Sequence, residues 1–157
     1  MMITIRPATM ADRKQLLGLV LAQDNFTEEE QEVAREVIED SLFKRDDYQI
    51  LTAVEKNGAL LGFVCYGIIP MTEKSFDLYW IATAPEHGRR GIASQLLSAM
   101  ETELNKSAGA VVYVDTSSTD GYERARSFYE KNGYQVAARF SNFYKTGDDR
   151  VIYRKEL

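Results

Sequence analysis

Two apolar runs, residues 49–55 and 60–69, flank Lys56-Asn57-Gly58. Asn-Gly between such runs is the strongest short-range hairpin signal, because the turn needs residues that tolerate positive φ. This puts an antiparallel pair in the middle of the chain. A third strand is expected at about residues 76–83, directly before a glycine-containing loop and a helix with Ile92, Leu96, Leu97, Met100 and Leu104 on one face. A hairpin meander that runs into a strand-to-helix crossover implies a mixed sheet with helices on its faces. It excludes a uniformly doubly wound pattern.

The flanking segments fit around that centre. Ile3 and Ile5 alternate with polar neighbours, so residues 2–7 read as a strand. Thr9 with Asp12 opens a helix whose apolar stripe is Leu16, Leu17, Val20 and Leu21. Thr27 and Glu30 form a capping box for a second helix, which carries Val33, Val37, Ile38 and Leu42 and an acidic outer face. Val111, Val112 and Val114 mark a further strand. A short helix at about 122–131 ends at Asn132-Gly133, a favourable C-cap. Tyr134 to Ala138 and Val151 to Arg154 are the last two strands, around the Gly147-Asp148-Asp149 turn. The predicted order is β-α-α-β-β-β-α-β-α-β-β.

At 157 residues the chain has the length of one domain, taken as 1–157. Its net charge of −5 gives no global field for nucleic acid or an anionic membrane. No apolar run approaches the ~20 residues of a membrane span, and the start lacks a signal-peptide design. A cytoplasmic protein is the expectation. The single cysteine, Cys65, lies in an apolar strand and reads as a buried small hydrophobe. One cysteine and one histidine cannot build an N/S-rich zinc site, so no metal is expected.

The chemistry concentrates in Ile81-Ala82-Thr83-Ala84-Pro85-Glu86-His87-Gly88-Arg89-Arg90-Gly91-Ile92-Ala93-Ser94. A strand enters a loop that turns directly into a helix. The first N–H groups of that helix lack intrahelical partners, and its dipole is positive there. Gly88 and Gly91 allow close backbone approach, and Arg89 and Arg90 add positive charge. Together they suit a phosphate or pyrophosphate. A solvated turn is the plainer reading of the same spacing. The Gly-x-x-x-x-Gly-Lys-Ser/Thr and Gly-x-Gly-x-x-Gly motifs are both absent.

Thr83-Ala84-Pro85 followed by Gly88-Arg89-Arg90-Gly91-Ile92-Ala93 resembles the acetyl-CoA loop of the GCN5-related N-acetyltransferase (GNAT) superfamily. Tyr122-Glu123-Arg124-Ala125-Arg126-Ser127-Phe128-Tyr129, then Gly133-Tyr134, resembles the family's downstream helix and strand start. Gly88 stands where the family usually has Gln or Arg, and Tyr122 where it usually has Asn. The element order matches over essentially the whole chain, and the tail looks like that of a bacterial subgroup. The resemblance implies an α/β (α+β) fold: a mixed, mostly antiparallel sheet of six to seven strands with helices on both faces. It also implies acetyl-CoA as cosubstrate, bound by Ile81, Ala82, Thr83, Gly88, Arg89, Arg90, Gly91, Ile92, Ala93, Ser94, Tyr122 and Phe128.

The implied reaction is direct transfer of an acetyl group to an amine. An amine with pKa of about 10.4 is mostly protonated at neutral pH, so a base must take a proton. A backbone N–H of the Ile81–Thr83 segment would stabilise the oxyanion. Tyr129 matches the family tyrosine that protonates the leaving thiolate, and a packing tyrosine is its structural alternative. Asp77 falls where histone-acetylating relatives carry a catalytic Glu, and as the shorter Asp it needs a bridging water. Asp115 is the alternative base, and either carboxylate could be merely solvated or capping. His87 precedes the phosphate loop, away from any acceptor pocket.

Phe26, Phe143 and Tyr144, with Phe140, could line the acceptor site, the core or a homodimer interface. An acidic second helix walling that site would favour a cationic acceptor. The expected acceptor is a small-molecule amine, such as an amino acid or polyamine. A protein N-terminus or lysine, and a CoA-binding regulatory module without turnover, are the other readings.

Overall fold

The structure is a computed structural model describing residues 2–44, 47–87 and 91–157. The elements are β1 (Ile3–Pro7), α1 (Arg13–Leu21), α2 (Glu28–Leu42), β2 (Gln49–Glu55), β3 (Leu60–Ile68), β4 (Ser75–Thr83), α3 (Ile92–Leu104), β5 (Val111–Ser117), α4 (Glu123–Lys131), β6 (Gln135–Lys145) and β7 (Asp148–Glu156). This is the order read from the sequence. The strands form one seven-stranded sheet, β1-β2-β3-β4-β5-β7-β6. Among the described residues, only the β4–β5 pair is parallel.

Local chemistry explains the turns. Gly58 takes φ +89° and its N–H bonds Glu55 O at 2.8 Å, closing the β2–β3 hairpin. Asn132-Gly133 ends α4 as expected, with Gly133 at φ +88° and Tyr134 N bonded to Tyr129 O at 3.0 Å. The first helix begins with a 3-10 turn, Met10–Asp12, where Thr9 N donates to Asp12 Oδ2 at 2.8 Å. Asp12 also takes both arms of Arg6, at 2.7 and 2.9 Å, which ties β1 to α1.

Two apolar cores lie on opposite faces of the sheet. One joins α1 and α2 to the sheet through Leu16, Val20, Ala34, Ile38 and Phe63. The other joins α3 and α4 through Leu96, Leu97, Met100, Val112, Tyr134 and Tyr153. Gly62 sits under α3, where a Cβ would meet Ala82 O at 2.8 Å and Leu96 Cδ1 at 3.2 Å. Cys65 is fully buried, and burial pushes its thiol up. No described helix is long and apolar enough to cross a membrane.

Some boundaries and faces differ from the sequence reading. The last two strands are much longer than Tyr134–Ala138 and Val151–Arg154, and Tyr134 lies before the strand, buried in the core. β6 is an edge strand exposed along nearly its whole length, so it lacks the alternation that marks a half-buried strand. Leu21 and Val33, expected on apolar stripes, are 68% and 49% exposed.

The central irregularity is in β4. Cys65 pairs with Trp80 while its neighbour Tyr66 pairs with Leu78, so Tyr79 is an extra residue in β4. Such a bulge bends its strand. β4 and β5 pair only over Ser75–Asp77 and Val111–Tyr113. Beyond Asp77 their facing edges have no strand partner, and a cleft opens between them.

Candidate active site

Two cavities open from that cleft. The narrower, about 440 Å³, is lined by Gln23 at the end of α1, Ile81, Ala82 and Thr83 of β4, Ala93 of α3, and Arg124 and Phe128 of α4, among others. The wider, about 570 Å³, is lined by Phe26, Glu29 and Glu30 before and on α2, Tyr79 and Trp80 of β4, and Asp115 to Ser117 of β5. Tyr122, Tyr144, Lys145 and Asp148 complete its walls. Asn25, Ile81, Ala125 and Tyr129 belong to both linings, so the cavities adjoin there.

The narrow cavity, whose lining includes Arg124 and the oppositely charged Asp24, suits an extended ligand. Apart from the Thr83 carbonyl, which Gln23 engages, the β4 edge facing it has no strand partner, so backbone groups there can bond a ligand. Ala82, Ala93, Gly121 and Ala125 contribute little bulk, and Arg124 supplies a cation. Gly91 caps α3 at φ +70°, the left-handed geometry glycine permits. The thirteen-residue α3, whose N-terminus carries the positive end of its dipole, begins beside this cavity, with Ala93 in the lining. Gln23 Nε2 donates to Thr83 O at 3.1 Å and Leu19 O at 2.9 Å, fixing α1 to the end of β4.

Tyr129 is 5% exposed at the junction. Its ring meets Phe128, Tyr134 and Tyr153 at centroid distances of 5.4, 5.8 and 6.0 Å. Burial pushes its phenol up, keeping it protonated, and its hydroxyl has no hydrogen-bond partner among the described residues.

The carboxylates divide between access and electrostatics. Asp115 lines the wide cavity but is held by Arg150, with Nη2 at 2.6 Å from Oδ2. Asp77 is half-buried at the root of the split and lines neither cavity. Burial and then the Asp115 charge hold Asp77 above the ordinary carboxylate range, against Arg150 and a hydrogen bond from Tyr79.

The other sequence-predicted residues fall as follows. Phe26 and Tyr144 line the wide cavity, whereas Phe143 lies beside it, 53% exposed, with its ring 5.1 Å from Tyr144 and Arg150 4.9 Å over its face. Tyr122, expected at the cofactor, lines the wide cavity and donates to Glu30 Oε2 at 2.9 Å. The Ile92 side chain is core, 1% exposed, and Ser94 is exposed outside both linings. Gly88, Arg89 and Arg90 lie outside the described residues.

Sequence reasoning missed Gln23, Asn25, Tyr79, Trp80 and Asp148. The Tyr-Trp pair in a predicted strand carries no local mark of a bulge. Asp148 read as turn, yet it accepts from Ser117 Oγ and faces the cavity.

The family model described as "Acetyltransferase (GNAT) family" matches residues 18–134. A GNAT-family protein from Desulfovibrio desulfuricans has a similar structure, with 32% identity, 99% of each chain covered and a TM-score of 0.93. The ribosomal-protein-S18-alanine N-acetyltransferase from Escherichia coli shares the fold at 20% identity, covering 99% of this chain and 94% of its own, TM-score 0.77. So does the PaiA N-acetyltransferase from Thermoplasma acidophilum in complex with coenzyme A, at 22% identity, 100% of both chains and TM-score 0.74. No curated protein matches the sequence significantly.

Proposed function

The chain belongs to the acetyltransferase (GNAT) family, whose N-acetyltransferases use acetyl-CoA, and on that premise we propose direct acetyl transfer to the primary amine of a small molecule, an amino acid or polyamine-like compound. The observation that carries this reading is the pair of cavities that adjoin at Ile81, Ala125 and Tyr129. Donor and acceptor then meet without a covalent enzyme intermediate.

Bound acetyl-CoA supplies an activated thioester. The unpaired β4 edge over Ile81–Thr83 would hold its arm and offer N–H groups to negative charge developing on the acetyl oxygen. Arg124 and the α3 N-terminus would face its phosphates. Tyr129, kept protonated by burial, donates its proton to the departing sulfur. Asp77, held above the usual carboxylate range, takes the amine proton through a bridging water, with Asp115 the alternative. The reading includes a homodimer, supported by Val136, Phe140, Phe143 and Tyr144 exposed on edge strand β6. It also includes a cytoplasmic setting, in keeping with the buried lone Cys65.

Thermal shift tests the donor site. Acetyl-CoA at 100 times its Kd adds about 2.7 kcal/mol, or roughly 5–10 °C, whereas NAD and ATP leave Tm unchanged. Tyr129→Phe lowers turnover by about 100-fold or more without altering acetyl-CoA affinity. Unchanged turnover removes Tyr129 as the acid.

A further inference from the structure

The walls of the wide cavity carry more negative charge than they neutralise. Glu30, Asp115 and Asp148 all act on Tyr144, whose hydroxyl is pushed up by burial and by these carboxylates. Their partners differ in kind. The Asp115 charge is met by the Arg150 guanidinium. Glu30 accepts from the Tyr122 hydroxyl, and Asp148 from the Ser117 hydroxyl. A hydroxyl fills one lone pair and leaves the charge in place. Lys145, the lysine of this lining, is solvent-exposed and stands opposite Asp148 in the β6–β7 register. Glu29, Glu30, Asp115 and Asp148 together face two cations, Lys145 and Arg150, so negative charge is in excess at this cavity.

A second, independent observation marks the cavity as a ligand site. The 5%-exposed Tyr129 lines it at the junction, with its hydroxyl unclaimed by any described residue. The remaining walls include the aromatic residues Phe26, Tyr79, Trp80, Tyr122 and Tyr144, a residue type whose ring faces attract cations. The cavity, about 570 Å³, far exceeds the roughly 30 Å³ share of one water-sized group.

We propose that the acceptor is a small dication: one amine reacts beside Tyr129, while a second ammonium sits between Glu30 and Asp148 against the rings of Tyr122 and Tyr144. This rests on the acetyl-transfer reading and narrows it. The reacting amine, once deprotonated, forms an N–C bond to the acetyl carbon. The C–S bond breaks with its electron pair on sulfur, which takes the Tyr129 proton, and the amine proton leaves through water to a carboxylate. The second ammonium stays protonated throughout. An amino acid is disfavoured, because its carboxylate would meet Glu30 and Asp148 as like charges, and Arg150 is already held by Asp115.

The test is thiol release from acetyl-CoA with 1,4-diaminobutane, butylamine and alanine as acceptors. The diamine is expected to exceed butylamine at least tenfold in kcat/KM at low salt, with the ratio falling as salt rises. Glu30→Gln and Asp148→Asn bring the ratio towards one through the diamine KM, leaving the acetyl-CoA KM unchanged. Melting curves confirm folding, and if a variant does not fold, the wild-type salt dependence decides. Equal kcat/KM for diamine and monoamine at every salt, or a preference for alanine, overturns the dication and leaves acetyl transfer standing. Acetyl-CoA binding with no thiol release to any of the three overturns both.

Discussion

Tyr122 and Glu30, 92 positions apart in sequence, meet at the wide cavity, where the tyrosine hydroxyl donates to Glu30 Oε2 at 2.9 Å. This bond ties the 3-10 turn Asp120–Tyr122, just before α4, to the first turn of α2. It also sets the direction in which Glu30 presents its charge. Burial and the Glu30 bond push the Tyr122 phenol up, so it remains a donor at neutral pH.

Tyr122→Phe removes that bond and keeps the ring. A bond to a charged group contributes about 1.5–3 kcal/mol when buried, and less here because both partners are only part-buried. The expected result is a Tm a few degrees lower and an acceptor KM raised severalfold, with acetyl-CoA affinity unchanged. Weakened acetyl-CoA binding with the acceptor KM intact would return Tyr122 to the donor side.

With Asp77 as the proposed base, the acid limb of the pH–rate profile reports its ionisation. Asp77 must be ionised to accept a proton, and its folded-state value lies above the ordinary one because of burial and Asp115. Activity is therefore lost, as pH falls, at a higher pH than an unperturbed carboxylate would give. Asp115→Asn deletes the like charge and frees Arg150, and both changes favour ionised Asp77. The limb moves to lower pH in that variant, while Asp77→Asn loses about 100-fold in turnover. A limb that stays in place in Asp115→Asn, with Asp77→Asn fully active, rules Asp77 out.

Asp12 is a stability anchor rather than a site residue. It bonds Arg6 twice and caps the first helical turn through Thr9 N. The Arg6 bond is the largest cause of its lowered pKa. Arg6 is 37% exposed, so water screens the pair. Asp12→Ala is expected to cost about 2 kcal/mol, roughly 4–8 °C in Tm. For a carboxylate with a depressed folded pKa, the stabilisation is complete above the unfolded value of about 3.9 and fades as pH falls through the folded one. The Tm gap between wild type and variant should therefore be full at neutral pH and close in strong acid. A gap independent of pH would assign the cost to packing alone.

Much of the fold was legible because its signals are local. Asn57-Gly58 specified a hairpin, and the spacing of Ile92, Leu96, Met100 and Leu104 specified a buried helix face. The edge strand β6 was read too short, since exposure on both faces removes the period-two pattern. The extra residue Tyr79 was not legible, because a bulge is defined only by the partner strand's register. Nor was the Tyr122–Glu30 contact, which depends on how α2 and α4 pack on opposite faces of the sheet. The strand-to-helix loop pointed to the cleft, whereas Tyr79, the bulged residue in the lining of its wider cavity, carried no local mark.

The most direct measurement is the initial rate of thiol release with acetyl-CoA and amine varied together. On the proposed mechanism, cavities that adjoin at Tyr129 would hold both substrates at once, so double-reciprocal plots should intersect, and a dead-end amine analogue should bind the acetyl-CoA-loaded protein. Parallel lines, with thiol released stoichiometrically before any amine is added, would show a covalent acetyl-enzyme and contradict direct transfer.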